Sequence, residues 1–172
     1  MTVNLSDVLS SNITKHEEIS FGEPVFTDGI LKYDVVSEEA CDLEITGVET
    51  GKVHLTGNGT ITLKMQCGRC LTDVDTKVPY SIDRFVYGPD LVTEEIAEEQ
   101  PFVDGYVLDT ISLITDEILL AMPMKVLCRD DCKGICKVCG KNLNLTDCGH
   151  DQFVPDPRMA AIKDIFDQNS KA

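Results

Sequence analysis

The sequence predicts an α+β protein: a curled antiparallel β-sheet or partial barrel backed by one long helix, with a metal-binding C-terminal segment and a short closing helix. Three observations predict it. From Gly29 to Tyr87 the chain is rich in β-branched and aromatic residues that alternate with polar ones between glycine-bearing turns. One stretch, Thr110 to Met122, carries apolar residues at helical spacing. Five of the eight cysteines then crowd between Cys128 and His150.

Taken in order, Asn4 to Ser10 predicts a short helical start, with Leu5 and Val8 on one side and Asn4 or Ser6 as the cap. Lys15 to Glu23 is polar and loop-like, and Pro24 interrupts regular structure. Strands are predicted over Ile30–Val36 and over Cys41–Thr46, where Cys41, Leu43 and Ile45 share a face. Gly51-Lys52 predicts a turn, Val53–Leu55 a strand, Gly57-Asn58-Gly59 a second turn, and Thr60–Met65, Thr72–Pro79 and Ser81–Tyr87 three more strands. Cys41 is read as a small core residue and His54 as an ordinary strand histidine, while His16 carries no signal.

Residues 88 to 104 hold Glu94, Glu95, Glu98, Glu99 and Asp104 with no base, which predicts a solvated or partly disordered acidic loop. Asp109 offers a cap for the helix Thr110–Met122. Its stripe is Ile111, Ile114, Ile118 and Met122, widened by Leu113, Leu119 and Leu120, with Asp116 and Glu117 on the wet side. Pro123 ends it. Asp156-Pro157 opens a closing amphipathic helix bearing Met159, Ile162, Ile165 and Phe166. This divides the chain into a β-rich body, 1–123, and a cysteine-rich appendage, 124–172.

Cys136-x-x-Cys139-Gly140 has the form of a zinc knuckle: two thiolates three positions apart grip one ion while glycine turns the chain behind them. Cys148 and His150 follow at a loop's distance. The segment is too short to bury its own core, so metal binding would replace the missing apolar burial. The expectation is one structural Zn(2+) held by Cys136, Cys139 and Cys148, with the fourth position open between His150 and Cys132; Cys128 is expected to pack against the body. Cys67-Gly68-Arg69-Cys70 falls at a predicted hairpin turn and has three readings: a second metal knuckle, with its own ion or sharing one with Cys136 and Cys139, a redox pair with Arg69 favouring thiolate, or turn packing. A thioredoxin-type pair opens a helix after a parallel strand, and this context is β on both sides.

The net charge is −15, and it is uneven. Residues 1–123 carry 23 acids against 7 bases, whereas residues 124–172 carry 7 against 8. An acidic body repels phosphate, so any RNA contact should be local, through Lys133, Lys137 and Lys141 in the appendage. No run of about 18 apolar residues exists to span a bilayer, and Met1–Ser20 lacks the pattern of a secretory signal. Clustered cysteines then point to metal in a reducing cytoplasm rather than to disulfides. Paired catalytic carboxylates, a nucleophile elbow and a phosphate-binding loop are absent from the pattern, so no enzyme, small-molecule substrate or membrane partner is expected.

Cys67-x-Arg69-Cys70 after a β-rich half, a helix ending in Ala121-Met122-Pro123, and Cys132-Lys-Gly-Ile-Cys136-x-x-Cys139-Gly140-x-Asn142-Leu143-Asn144 together resemble the YceD-type large ribosomal RNA accumulation family. The match is to its branch with a cysteine-rich C-terminal segment. The resemblance implies a non-enzymatic factor in the synthesis, processing or stability of large-subunit ribosomal RNA. Its partner would be a ribosomal protein or pre-ribosomal large-subunit particle, which the acidic stretch could meet. One departure shows: that family's closing pair is usually Cys-x-Cys, and here it is Cys148-Gly149-His150. A thiol redox enzyme or sensor using Cys67 and Cys70 is the alternative.

Overall fold

A computed structural model describes residues 1–150. Its elements are β1 (Thr2–Asn4), α1 (Ser6–Ser10), β2 (Thr14–Ile19), β3 (Val25–Thr27), β4 (Lys32–Glu39) and β5 (Cys41–Glu49). Then come β6 (Lys52–Gln66), β7 (Asp73–Tyr87), α2 (Glu94–Glu99), β8 (Val103–Asp104), β9 (Val107–Asp109) and α3 (Thr110–Ala121). Among the described residues antiparallel sheets dominate, as the alternation predicts, but the helices are few and short and the strand order is open, so the expected long helix and partial barrel are not found. The expected closing helix lies outside the described residues.

The sheet is organised by two long strands. β6 and β7 form one hairpin, paired from Lys52↔Tyr87 to Gln66↔Asp73. The other edge of β6 is shared: β5 pairs its first part, Glu49↔Lys52 to Glu44↔Thr56, and β4 its second, Glu39↔Thr60 to Val35↔Leu63. β2 adds to β5 and β3 to β4. The described pairs give an open order, β2-β5-β6-β4-β3, with β7 beside β6.

Three predicted breaks are therefore corrected. Gly57-Asn58-Gly59 is not a turn but the middle of β6, at the point where its partner changes from β5 to β4. The glycines serve close approach. A Cβ on Gly57 would lie 2.8 Å from the Cys41 sulfur, and one on Gly59 would collide with the Tyr80 ring. Pro79 likewise does not divide two strands. It sits inside β7 opposite Thr60, which is tolerable because β7 pairs only β6 among the described strands, leaving an edge where a missing N–H breaks no ladder. Of the polar stretch Lys15–Glu23, the part to Ile19 belongs to β2 and only the remainder is loop.

The acidic stretch is ordered too. Thr93 caps α2, its hydroxyl accepting from Ile96 N–H at 3.4 Å. The buried Gln100 amide then clamps Tyr87, accepting from its N–H and donating to its carbonyl, both at 3.0 Å. The four glutamates remain exposed.

α3 is capped by Asp109, whose carboxylate accepts from Ile111 N–H at 3.1 Å. Its buried face is Thr110, Leu113, Ile114, Glu117 and Ile118, rotated from the predicted stripe. Glu117 was expected in water. It is buried instead, where Arg84 of β7 donates to it at 2.6 Å and supplies the charge a buried carboxylate needs. Leu119 and Leu120 are exposed as a consequence. One main core joins Leu43, Leu55, Leu63 and Ile82 of the sheet to Leu113 and Ile114 of α3.

Candidate metal centres

The β6–β7 hairpin delivers Cys67 and Cys70 to its tip. Cys67 N–H donates to Thr72 O at 2.9 Å and Leu71 N–H to Cys67 O at 3.0 Å, closing a tight turn in which Leu71 takes φ 60°. Beyond α3, the chain Met122–Leu127 returns to this tip, where Gly68 N–H donates to Val126 O at 2.8 Å. That register sets Cys128 and Cys132 against the hairpin thiols. Cys67 and Cys132 sulfurs lie 3.8 Å apart, and Cys70 and Cys128 sulfurs 3.5 Å. Arg69 bridges the gap with its guanidinium, donating to Cys132 O at 2.9 Å.

A second group forms downstream. Gly140 N–H donates to Cys136 O at 2.8 Å, repeating the hairpin's turn with Gly140 at φ 72° in place of Leu71. Val138 N–H points at the Cys136 sulfur from 3.4 Å, and His150 Nδ1 lies 3.8 Å from it. Cys139 and Cys148 complete the set.

The ligand atoms of Cys67, Cys70, Cys128 and Cys132 all lie within 4.8 Å of one another, and so do those of Cys136, Cys139, Cys148 and His150. A tetrahedron with ~2.3 Å zinc–sulfur arms has edges of about 3.8 Å, so both donor sets suit a metal ion in number, chemistry and spacing. None of the eight cysteines forms a disulfide, and the facing sulfurs stand farther apart than the ~2.05 Å such a bond needs.

The protonation chemistry of the first group is uneven. The backbone N–H of Cys70 leads in lowering the Cys67 thiol to about 6, helped by those of Arg69 and Cys128. The Thr72 hydroxyl lowers Cys70. Cys128 is pushed up to about 12, foremost by its contact with the Cys70 sulfur. In the second group, the His150 N–H draws Cys148 down, but the Cys136 sulfur, burial and Cys139 outweigh it and raise the thiol. A bound dication would displace the remaining protons.

The sequence reading placed Cys132 as a rival of His150 beside Cys136, and Cys128 against the body. The structure groups both with Cys67 and Cys70: Cys132 leaves Cys136, and Cys128 does meet the body, but at the hairpin thiols and exposed rather than in the core. Gly134, at φ 78°, turns the chain between the two groups, and a Cβ there would lie 3.1 Å from the Arg69 carbonyl. The number of sets, though not their membership, was available in the cysteine arithmetic. With Cys41 buried in the core, seven cysteines and His150 remain, which is two tetrahedral sets. No helix opens at Cys67, and the turn's own backbone N–H groups lower its thiol instead.

The fold and the two donor sets define a class: an antiparallel-sheet protein whose hairpin-tip and C-terminal cysteines, with one histidine, gather into groups able to hold metal. The chain belongs to the family of the large ribosomal RNA subunit accumulation protein YceD, whose profile matches residues 55–166. It is also similar to uncharacterized proteins of Mycobacterium tuberculosis and Mycobacterium bovis, at 33% identity over 132 residues, 75% of this chain and 62% of theirs. An uncharacterized protein of Mycobacterium leprae is 30% identical over 152 residues, 86% of this chain and 62% of that one. The chain thus spans less than two thirds of these relatives' length. No solved structure matches it. Among the described residues no helix is long and apolar enough to cross a membrane.

Proposed function

We propose that the protein is a non-enzymatic, cytoplasmic factor in large ribosomal subunit biogenesis, supporting the synthesis, processing or stability of its ribosomal RNA. The observation that carries this reading is the reach of the family match, from 55 to 166, across every cysteine of both donor sets. Of two structural zinc ions, one per set, the first would fasten Cys128 and Cys132 to the hairpin tip and the second would order residues 136–150. The body and the appendage would then share a ligand sphere, since Cys67 and Cys70 come from one and Cys128 and Cys132 from the other.

The surface agrees with a mixed protein–RNA partner such as a pre-ribosomal particle. Glu94, Glu95, Glu98 and Glu99 stand exposed on α2 and suit a basic ribosomal protein. Lys133, Lys137 and Lys141 are exposed on the metal-binding segment and suit a local RNA phosphate contact. The test is gradient sedimentation of cell extract, with and without RNase. Co-sedimentation with large-subunit precursors is expected, weakened when the three lysines become glutamate. A protein that stays at the top of the gradient in ribosome-producing cells overturns the reading.

The low Cys67 thiol favours the redox alternative. Burial opposes it: Cys67 is 0% exposed, and each hairpin sulfur faces one from the 128–132 loop. Alkylation that is slow in the isolated protein and fast only after chelation supports metal. Rapid alkylation of the metal-replete protein supports the thiol enzyme.

A further inference from the structure

Asn142-Leu143-Asn144 belongs to the segment of the second donor set, yet its side chains serve the first. Asn144 Nδ2 donates to the Cys132 sulfur at 3.3 Å. Asn144 Oδ1 accepts from Lys133 N–H and from Arg129 Nη2, both at 2.8 Å, so it also fixes the chain on each side of that cysteine. Asn142 Nδ2 donates to Thr72 Oγ1 at 3.1 Å, and this hydroxyl lies 3.3 Å from the Cys70 sulfur. Two of the four first-set sulfurs are thus reached from one turn.

The turn is itself assembled by the second knuckle. Cys136 N–H donates to Lys141 O at 2.8 Å, Leu143 N–H to Gly134 O at 2.9 Å, and Ile135 bridges Asn142. Within it, Asn142 Oδ1 accepts from Asn144 N–H at 2.9 Å and from Asn144 Nδ2 at 2.8 Å. Both donor hydrogens of the Asn144 amide are therefore assigned, one to Asn142 and one to sulfur.

We propose that Asn144, with Asn142 behind it, is a positioning residue that makes the second centre part of the outer shell of the first, coupling metal retention at the two. A donor aimed at a ligand sulfur favours its thiolate form, and outer-shell partners of this kind are worth about 10–100-fold in metal affinity. The coupling is reciprocal, because whatever orders the turn for one ion orders it for the other. This inference rests on the metal reading above. It assigns to the Asn142-Leu143-Asn144 motif a role that neither donor set explains.

The experiment uses the full chain loaded with cadmium-113, whose resonances distinguish four-sulfur from three-sulfur, one-nitrogen coordination, and follows release of each ion to a chelator. Asn144→Asp keeps the acceptor side towards Lys133 and Arg129 but replaces the donor facing sulfur with a carboxylate. It should speed release from the four-sulfur centre by about tenfold. Cys148→Ser should also speed that release, although residue 148 touches no first-set sulfur. Asn142→Asp gives an independent arm should Asn144→Asp fail to fold, and should act in the same direction. Wild type holding two ions while the folded Asn variants release the four-sulfur ion at the wild-type rate overturns the coupling alone. Wild type binding no cadmium overturns the metal reading and the coupling with it.

Discussion

The two knuckles share one local geometry and differ in everything around it. Each closes with an N–H from the residue after its second cysteine to the carbonyl of its first, Leu71 to Cys67 and Gly140 to Cys136. Each places that residue in the left-handed region. The first knuckle is the end of a hairpin of two fifteen-residue strands, and Cys67, Cys70 and Cys132 are buried there. The second grows from irregular chain, and only Cys136 of its set is buried. A knuckle is thus a local device, but what it stabilises is set by its surroundings. The first can join distant parts of the chain directly, while the second draws its ligands from its own segment and meets the first only through Asn142 and Asn144.

The largest expected effect separates the two in stability. Cys67→Ser should lower Tm by about 10 °C, roughly 3 kcal/mol at the 2–4 °C per kcal/mol of a chain this size, because it frees the 128–132 loop from the hairpin. Cys139→Ser should leave the main unfolding transition within about 2 °C. Calorimetry on both checks the pair, and equal losses would erase the distinction.

Metal exchange should follow the same asymmetry. With limiting chelator, the second centre is expected to empty roughly tenfold faster, the ratio given by about 1.4 kcal/mol less opening free energy. Site-resolved cadmium resonances report it, and first-centre release at the same rate would break the comparison.

The smallest effect lies in the turns. Gly140→Ala puts a Cβ at φ 72° and should cost about 1 kcal/mol, some fivefold in second-centre affinity. Leu71→Gly relieves strain at φ 60° but adds unfolded-state freedom of similar size, so stability should stay within about 0.5 kcal/mol. Competition titration and denaturant unfolding measure the two.

Much of the body was legible because its signals are local. Alternation at Cys41, Leu43 and Ile45 marked a strand whose inward side chains are indeed fully buried. Asp109 was readable as a cap, and Gly51 as the turn that joins β5 to β6. The failures share a cause. Gly57, Gly59 and Pro79 carry turn chemistry in sequence, but what they answer to is Cys41, Tyr80 and an edge, none of them sequence neighbours. Glu117 reads as wet until Arg84 arrives from thirty-three residues away.

The knuckle at Cys136 was determined by the sequence itself, because a C-x-x-C-G stretch fixes its own turn through bonds within five residues. The grouping of Cys128 and Cys132 with Cys67 and Cys70 was decided only by tertiary structure. Those pairs lie about sixty residues apart, and nothing local brings them together. They meet because α3 packs on β7, the chain returns along Gly68, and Gly134 turns Cys136 away; spacing along the chain carries no record of which sulfur a folded sheet will set opposite which.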